Sequence, residues 1–184
     1  MRRITPYTVR TLVVLVFWTL VVIPLLLLAY AGFPRIRYYM SRWWAYRVLW
    51  AAGVRLEVEG LENLAGGGPC VYTPNHQSFM DVPVILRSLP IPFRMVAKQE
   101  LFAVPVLGFA ISLMGTIGID REDRRKAVQS LRKAERMVRR GDNLLVFPEG
   151  RLSATERFGE FKKGAFLIAK RLEVPFVPVC IVGT

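Results

Sequence analysis

Between Thr11 and Phe33 the chain reads TLVVLVFWTLVVIPLLLLAYAGF, a run without a single charge. Coiled into a helix at about 1.5 Å per residue it reaches roughly 30 Å or more, which matches the hydrocarbon core of a bilayer. A cleavable signal peptide would have a shorter apolar region and a small-residue cleavage site, and no such site follows. The run is therefore expected to stay in a membrane. Arg2, Arg3 and Arg10 precede it and Arg35, Arg37, Arg42 and Arg47 follow it, so the bias of basic residues towards the cytoplasm sets no single orientation. Pro24 interrupts the middle and is expected to kink the helix. A bent helix paired with the next one, as a hairpin dipping into one leaflet with both basic flanks in the cytoplasm, satisfies both facts.

The next stretch, RIRYYMSRWWAYRVLWAAG, reads as an interfacial helix that ends at Gly53. Tyr38, Tyr39, Trp43, Trp44, Tyr46 and Trp50 are residue types that settle at headgroup depth, and arginine stems can snorkel beside them. Composition points the same way: 53% of the residues are apolar, yet the formal charge is +12, and eight arginines precede the first acidic residue, Glu57. Anionic headgroups attract each such arginine by about 1 kcal/mol. No nucleic-acid-binding motif accompanies the charge, so membrane lipids are the expected partner and nucleic acid is not.

From Val54 onward the pattern changes to short strand-like runs separated by helices. The runs VRLEVEG, PCVYT, FRMVA, TIGI, NLLVF and FVPVCIV are the strand candidates. The clearest helix is Arg121 to Arg140, with Ala127, Val128, Leu131, Ala134 and Val138 at helical spacing and Gly141 just past its end. The expected fold class is α/β, a mostly parallel twisted sheet flanked by helices, with an N-terminal membrane-embedded helical segment. Residues 1–53 are expected to form membrane-associated helices and residues 54–184 one further domain. Cys70 and Cys180 lie in strand-like runs without C-x-x-C spacing and read as buried small hydrophobes of a reducing compartment. With one histidine in the chain, no metal site is expected. The sequence stops at VCIVGT directly after a strand, which is expected to leave a sheet edge open unless further chain or another element covers it.

The single histidine, His76, stands in TPNHQSFMD, five positions before Asp81. An Asn-His pair that follows a strand and precedes a helix puts the imidazole at the carboxyl end of the sheet, where α/β proteins bind ligands. Five residues apart within one helix, the two side chains would diverge by about 140°, so they meet only if His76 lies before the helix begins. A carboxylate that accepts from one ring nitrogen fixes the tautomer and leaves the other as a base. The alternative is structural: Ser78-x-x-Asp81 also resembles a helix-start cap. No G-x-S-x-G elbow is present, and Cys70, six residues upstream, has core-like flanks, so the simplest scheme has His76 deprotonating a substrate hydroxyl. Arg151 in LLVFPEGRLS and Arg121 in GTIGIDRED stand at strand ends and can fork a phosphate, with Lys98 of VAKQEL joining from another strand end.

Five motifs in order, NHQSFMD, AKQELFAVPVLG, GTIGIDR, FPEGRLS and VPFVPVCIVG, resemble the glycerophospholipid acyltransferases that act on 1-acyl-sn-glycerol-3-phosphate. The resemblance covers about Gly53 to Gly183. It implies transfer of a fatty acyl group from acyl-carrier protein or coenzyme A, as co-substrate and without a cofactor, to the free hydroxyl of a lysophospholipid. His76 and Asp81 would be the catalytic pair and Arg121 the phosphate-binding arginine. Glu149, Gly150, Arg151 and Ser153 would belong to the acceptor pocket, and Lys98 would stabilise charge on the acceptor or the thioester oxyanion. The family commonly continues Phe-Pro-Glu-Gly with Thr-Arg-Ser, whereas Arg151, Leu152 and Ser153 follow here, so the arginine comes one place early. That departure keeps a second acceptor in view, lysophosphatidylethanolamine. A non-enzymatic lipid-binding module is the competing class. The resemblance also implies the cell membrane, with the catalytic domain on its cytoplasmic face.

Overall fold

The computed structural model describes residues 6–30, 34–64, 67–153 and 159–184. Arg2, Arg3 and the end of the uncharged run at Phe33 lie outside them, as do the side chains of Pro24 and Arg35. The chain divides into two compact units, residues 1–59 with 82–90 and residues 60–81 with 91–184.

The first unit is helical. Helix α1 runs unbroken through position 24, from Pro6 to Tyr30. Helix α2, Pro34–Ala52, starts on a proline whose missing N–H costs nothing at a first helical position. It ends at Gly53, which takes φ 73° and returns its N–H to the Trp50 carbonyl. The two helices pack through Trp18, edge-on to Trp43 at 4.5 Å, and through Trp44 Nε1, which donates to Thr19 Oγ1 at 3.1 Å. Val9, Leu12, Val13, Val16, Phe17 and Leu20 form an apolar stripe on α1 that faces away from α2 and stays exposed. Helix α3, Asp81–Ser88, joins this unit after its first residue. Arg42 of α2 donates to the carbonyls of Leu86 and Leu89 at the carboxyl end of α3, neutralising the negative pole there.

Among the described residues no helix is long and apolar enough to cross a membrane. The expected membrane-embedded segment is thus not shown by the structure: the described side chains of α1 run from 8 to 21, about 21 Å of helix. The stretch 54–60, expected as a strand, joins no sheet. Val54, Leu56 and Val58 do share a side, as their alternation requires, but they line a pocket of the helical unit instead of a ladder.

The second unit is the expected parallel sheet flanked by helices. Its strands are β1 Val71–Pro74, β2 Phe93–Lys98, β3 Ile117–Ile119, β4 Asn143–Leu145 and β5 Phe176–Val179. All pairings are parallel, in the order β3-β2-β4-β1-β5. Helices α4 Leu107–Leu113, α5 Arg124–Arg139 and α6 Gly164–Leu172 complete the unit. Val71, Ile117 and Leu144 of the sheet meet Ala134 and Val138 of α5 and Ala165, Ile168 and Ala169 of α6 in one dry core. Helix α5 starts at Asp123, whose carboxylate accepts from the Arg125 and Lys126 N–H groups, and not at Arg121 as its periodicity predicts. Val128, one of the apolar residues at helical spacing, is exposed, whereas Ala134 and Val138 are buried. Cys70 is buried as expected, but Cys180 is exposed, since it follows the edge strand β5.

Candidate active site

A parallel sheet delivers all its strand ends to one edge, so four short sequence stretches separated by many residues arrive side by side. His76 follows β1, Lys98 ends β2, Arg121 stands just past β3, and Glu149 and Gly150 lie just past β4. At roughly 4.8 Å per strand, β1 and β3 are about 14 Å apart, and β2 and β4 lie between them.

His76 Nδ1 is 2.9 Å from Asp81 Oδ2. The five-residue gap closes because His76 precedes α3 and Asp81 is its first residue. The same Oδ2 also accepts the N–H groups of Gln77, at 2.7 Å, and Ser78, at 3.0 Å. One oxygen thus makes both the helix-start bonds to Gln77 and Ser78 and the contact with the His76 ring. Asp81 is 0% exposed. Its burial works against ionisation, but the bonds from the His76 ring, the Ser78 N–H and the Gln77 N–H help to outweigh it and hold the carboxyl below its ordinary range. A carboxylate that is ionised and already receiving two N–H bonds can only accept from the ring, so Nδ1 carries the proton. In the neutral tautomer with that proton on Nδ1, the lone pair lies on Nε2.

The stretch after β4 grips His76 on three sides. Phe147 stacks on the imidazole with ring centroids 3.9 Å apart and planes 23° apart. Glu149 Oε1 accepts the His76 N–H at 2.9 Å, and the Ser153 N–H donates to the His76 carbonyl at 2.8 Å. Glu149 Oε2 accepts the Gly159 N–H at 2.8 Å, so the acid, 3% exposed, spends both oxygens on backbone. Gly159 has to be a glycine for this approach: a β-carbon there would stand 2.8 Å from Oε2.

Gly150 turns the chain at φ 72°, in the left-handed region that favours glycine. A β-carbon on it would lie 3.6 Å from Arg121 Cζ, so the guanidinium rests against the same loop that holds His76. Arg121 is exposed at this edge; partial desolvation lowers its pKa from the ordinary guanidinium value and Glu100 acts the other way. No ion pair neutralises Arg121 among the described residues. Lys98 Nζ reaches Glu100 Oε1 at 2.7 Å, and this bond raises its pKa. Arg151 is exposed beside Gly150. Cys70 lies at the opposite end of β1, bonded to Asn143, and burial raises its thiol pKa. Six extended residues, roughly 20 Å of chain, separate it from His76, so no Cys–His pair forms.

Three residues of this edge escaped the sequence reading. Phe147 looked like strand core, and Gly159 follows a charged stretch with no turn signal. Asn75 exchanges both side-chain bonds with the backbone of Ile181, at 2.9 and 2.7 Å, and so ties the chain after β5 to the residue beside His76.

A family model described as Acyltransferase matches residues 55–182. A 1-acyl-sn-glycerol-3-phosphate acyltransferase from Brassica napus, chloroplastic by its name, is 42% identical over 131 residues, 71% of this chain and 38% of its own length. A Pseudomonas aeruginosa protein of the same enzymatic name is 34% identical over 151 residues, 79% of this chain and 57% of its own. The chain thus spans between about a third and three fifths of these relatives' lengths. The crystal structure of PlsC, the 1-acyl-sn-glycerophosphate acyltransferase of Thermotoga maritima, superposes with TM-score 0.76 at 27% identity, covering 96% of this chain and 76% of that one. Because the family match takes in all five strands and every side chain of the edge described above, the chain belongs to the Acyltransferase family.

Proposed function

We propose that this protein transfers a fatty acyl group from a thioester to the sn-2 hydroxyl of 1-acyl-sn-glycerol-3-phosphate, giving phosphatidic acid. The observation that carries this reading is the 2.9 Å bond between His76 Nδ1 and Asp81 Oδ2, on an edge where the Arg121 guanidinium, in no ion pair among the described residues, leans on the loop that clamps His76. The enzymatic names of the relatives support the same acceptor.

In this scheme Nε2 of His76 accepts the acceptor's hydroxyl proton as its oxygen attacks the thioester carbonyl. Asp81 stabilises the imidazolium that forms. Collapse of the tetrahedral adduct breaks the carbon–sulfur bond, and the leaving thiolate takes the proton from Nε2. Arg121 grips the acceptor phosphate, and Lys98 stabilises negative charge nearby. Glu149, Gly150 and Ser153 act through the backbone of His76 and the seat of Arg121, while Arg151 lines the same loop. The thioester is carried by acyl-carrier protein or coenzyme A, and the basic surface of the chain suits either anionic donor.

The exposed apolar stripe of α1 supports seating the helical unit in the cytoplasmic leaflet of the cell membrane. One sequence feature favours a second acceptor, lysophosphatidylethanolamine: the arginine of FPEGRLS stands one place early. The test is incubation of the purified chain with labelled acyl thioester and each acceptor in parallel. Labelled phosphatidic acid is the expected product. Product only from lysophosphatidylethanolamine would overturn the acceptor, and none from either would overturn the activity.

A further inference from the structure

The helical unit holds an open pocket of about 380 Å³ between α2, α3 and the extended stretch 54–58. Arg42, Tyr46, Leu49 and Trp50 of α2, Val54, Leu56 and Val58, and Arg87 of α3 line it. A volume of this size falls in the range of small-molecule sites. Acyl transfer by the His76 edge uses none of these residues.

The charge around the pocket is one-sided. This unit contains nine arginines and two acidic residues, Glu57 and Glu59. Both glutamates are exposed and alternate with Leu56 and Val58, so they point away from the pocket those residues line. With so little carboxylate at hand, the arginines lie on aromatic rings. Arg10 and Arg47 sit over Trp50 at 5.7 and 5.1 Å, and Arg87 sits over Tyr46 at 5.6 Å. Arg42 already gives bonds to two carbonyls of α3. Arg87 has its ring contact and no ion pair among the described residues. Its guanidinium is therefore a cation at this pocket with donors to spare for an anion.

An exposed guanidinium and aliphatic side chains lining one pocket fit a molecule with an anionic head and a greasy body. Trp50 and Tyr46 also belong to an exposed aromatic stripe of α2, with Tyr39 and Trp43, of the residue types that settle at headgroup depth. We propose that this pocket seats an anionic membrane phospholipid at its headgroup, its phosphate on Arg87 and the start of its acyl chains against Leu56 and Val58. The inference rests on the membrane seating proposed for this unit and gives it lipid selectivity.

Trp50 supplies the readout. The full chain in a neutral detergent is titrated with a short-chain, water-soluble phosphatidylglycerol, with its phosphatidylcholine counterpart, and with inorganic phosphate, following tryptophan fluorescence against a Trp50→Phe control. Saturable binding of the phosphatidylglycerol is expected, weakened about tenfold in Arg87→Gln, as the loss of one charge-assisted contact predicts, and weakened likewise for the phosphatidylcholine, whose choline cation meets the arginine-rich unit. Equal affinity for both lipids, an unchanged Arg87→Gln, or equally good binding of inorganic phosphate would overturn the proposal. If Arg87→Gln fails to fold by thermal melt, Val58→Phe fills the same pocket and must show the same loss; retained binding there is equally fatal. Flotation with phosphatidylcholine vesicles that contain phosphatidylglycerol separates the two readings. Flotation without selective titration leaves the membrane seating intact and overturns the pocket, whereas failure to float overturns both.

Discussion

Replacing Glu149 with glutamine changes one oxygen to an amide nitrogen, at a position where neither oxygen is free to change. Both carboxylate oxygens of Glu149 accept backbone N–H groups, from His76 at 2.9 Å and from Gly159 at 2.8 Å, inside a site only 3% exposed. A glutamine can accept one of those bonds; its NH₂ group must then face the other N–H, donor against donor. The loss of a charge-assisted bond together with a stranded buried donor costs roughly 2–5 kcal/mol. For a chain of this length each kcal/mol lowers Tm by about 2–4 °C, so Glu149→Gln should melt roughly 4–20 °C below the wild type. The loosened backbone is that of His76, so kcat should fall by about 10–100-fold while the acceptor KM stays within about twofold. The assay pairs a thermal melt with acyl-transfer kinetics at varied acceptor concentration. An unchanged Tm with a raised acceptor KM would refute the reasoning, because that is the signature of a side chain that touches the substrate instead.

The same edge carries further expected outcomes. Arg121→Ala should weaken acceptor affinity by about 10–100-fold with a smaller change in kcat, as the loss of a charge-assisted phosphate contact predicts; isothermal titration with the lysophospholipid checks it. The Asp81 carboxyl is held below its ordinary pKa of 3.8, so its contribution to stability is full above that value and lost as pH falls through the depressed one. The melting difference between wild type and Asp81→Asn should accordingly be present at neutral pH and close below about pH 4, and a gap that persists into strong acid would contradict the bond pattern. Gly159→Ala forces a β-carbon to 2.8 Å from Glu149 Oε2 and should lower both Tm and kcat in the direction of Glu149→Gln.

Much of this edge was legible in the sequence because its informative residues are local. His76 and Asp81 lie five positions apart beside a strand end, so their bond follows from where one helix starts. The apolar runs of β1 and β4 are fully or nearly fully buried, and such runs announce strands regardless of partner. VRLEVEG misled because alternation records only that one side of an extended stretch is covered; here the cover is a pocket wall and not a ladder. Cys180 was misread because an apolar run does not tell an edge strand from a central one. The backbone role of Glu149 was out of reach because it depends on how the chain returns ten residues later to bring Gly159 against it. Phe147 was equally hidden, since a ring stacked on a histidine and a ring in a core share one hydrophobic signature.

The central claim is that the imidazole of His76, oriented by Asp81, takes the proton of the acceptor hydroxyl. The most direct measurement is single-turnover acyl transfer by His76→Ala, with a melt alongside to establish that the variant is folded. The account predicts a rate lower by about 10²–10⁴ with the acceptor still bound. A folded His76→Ala that transfers acyl groups at the wild-type rate would contradict it.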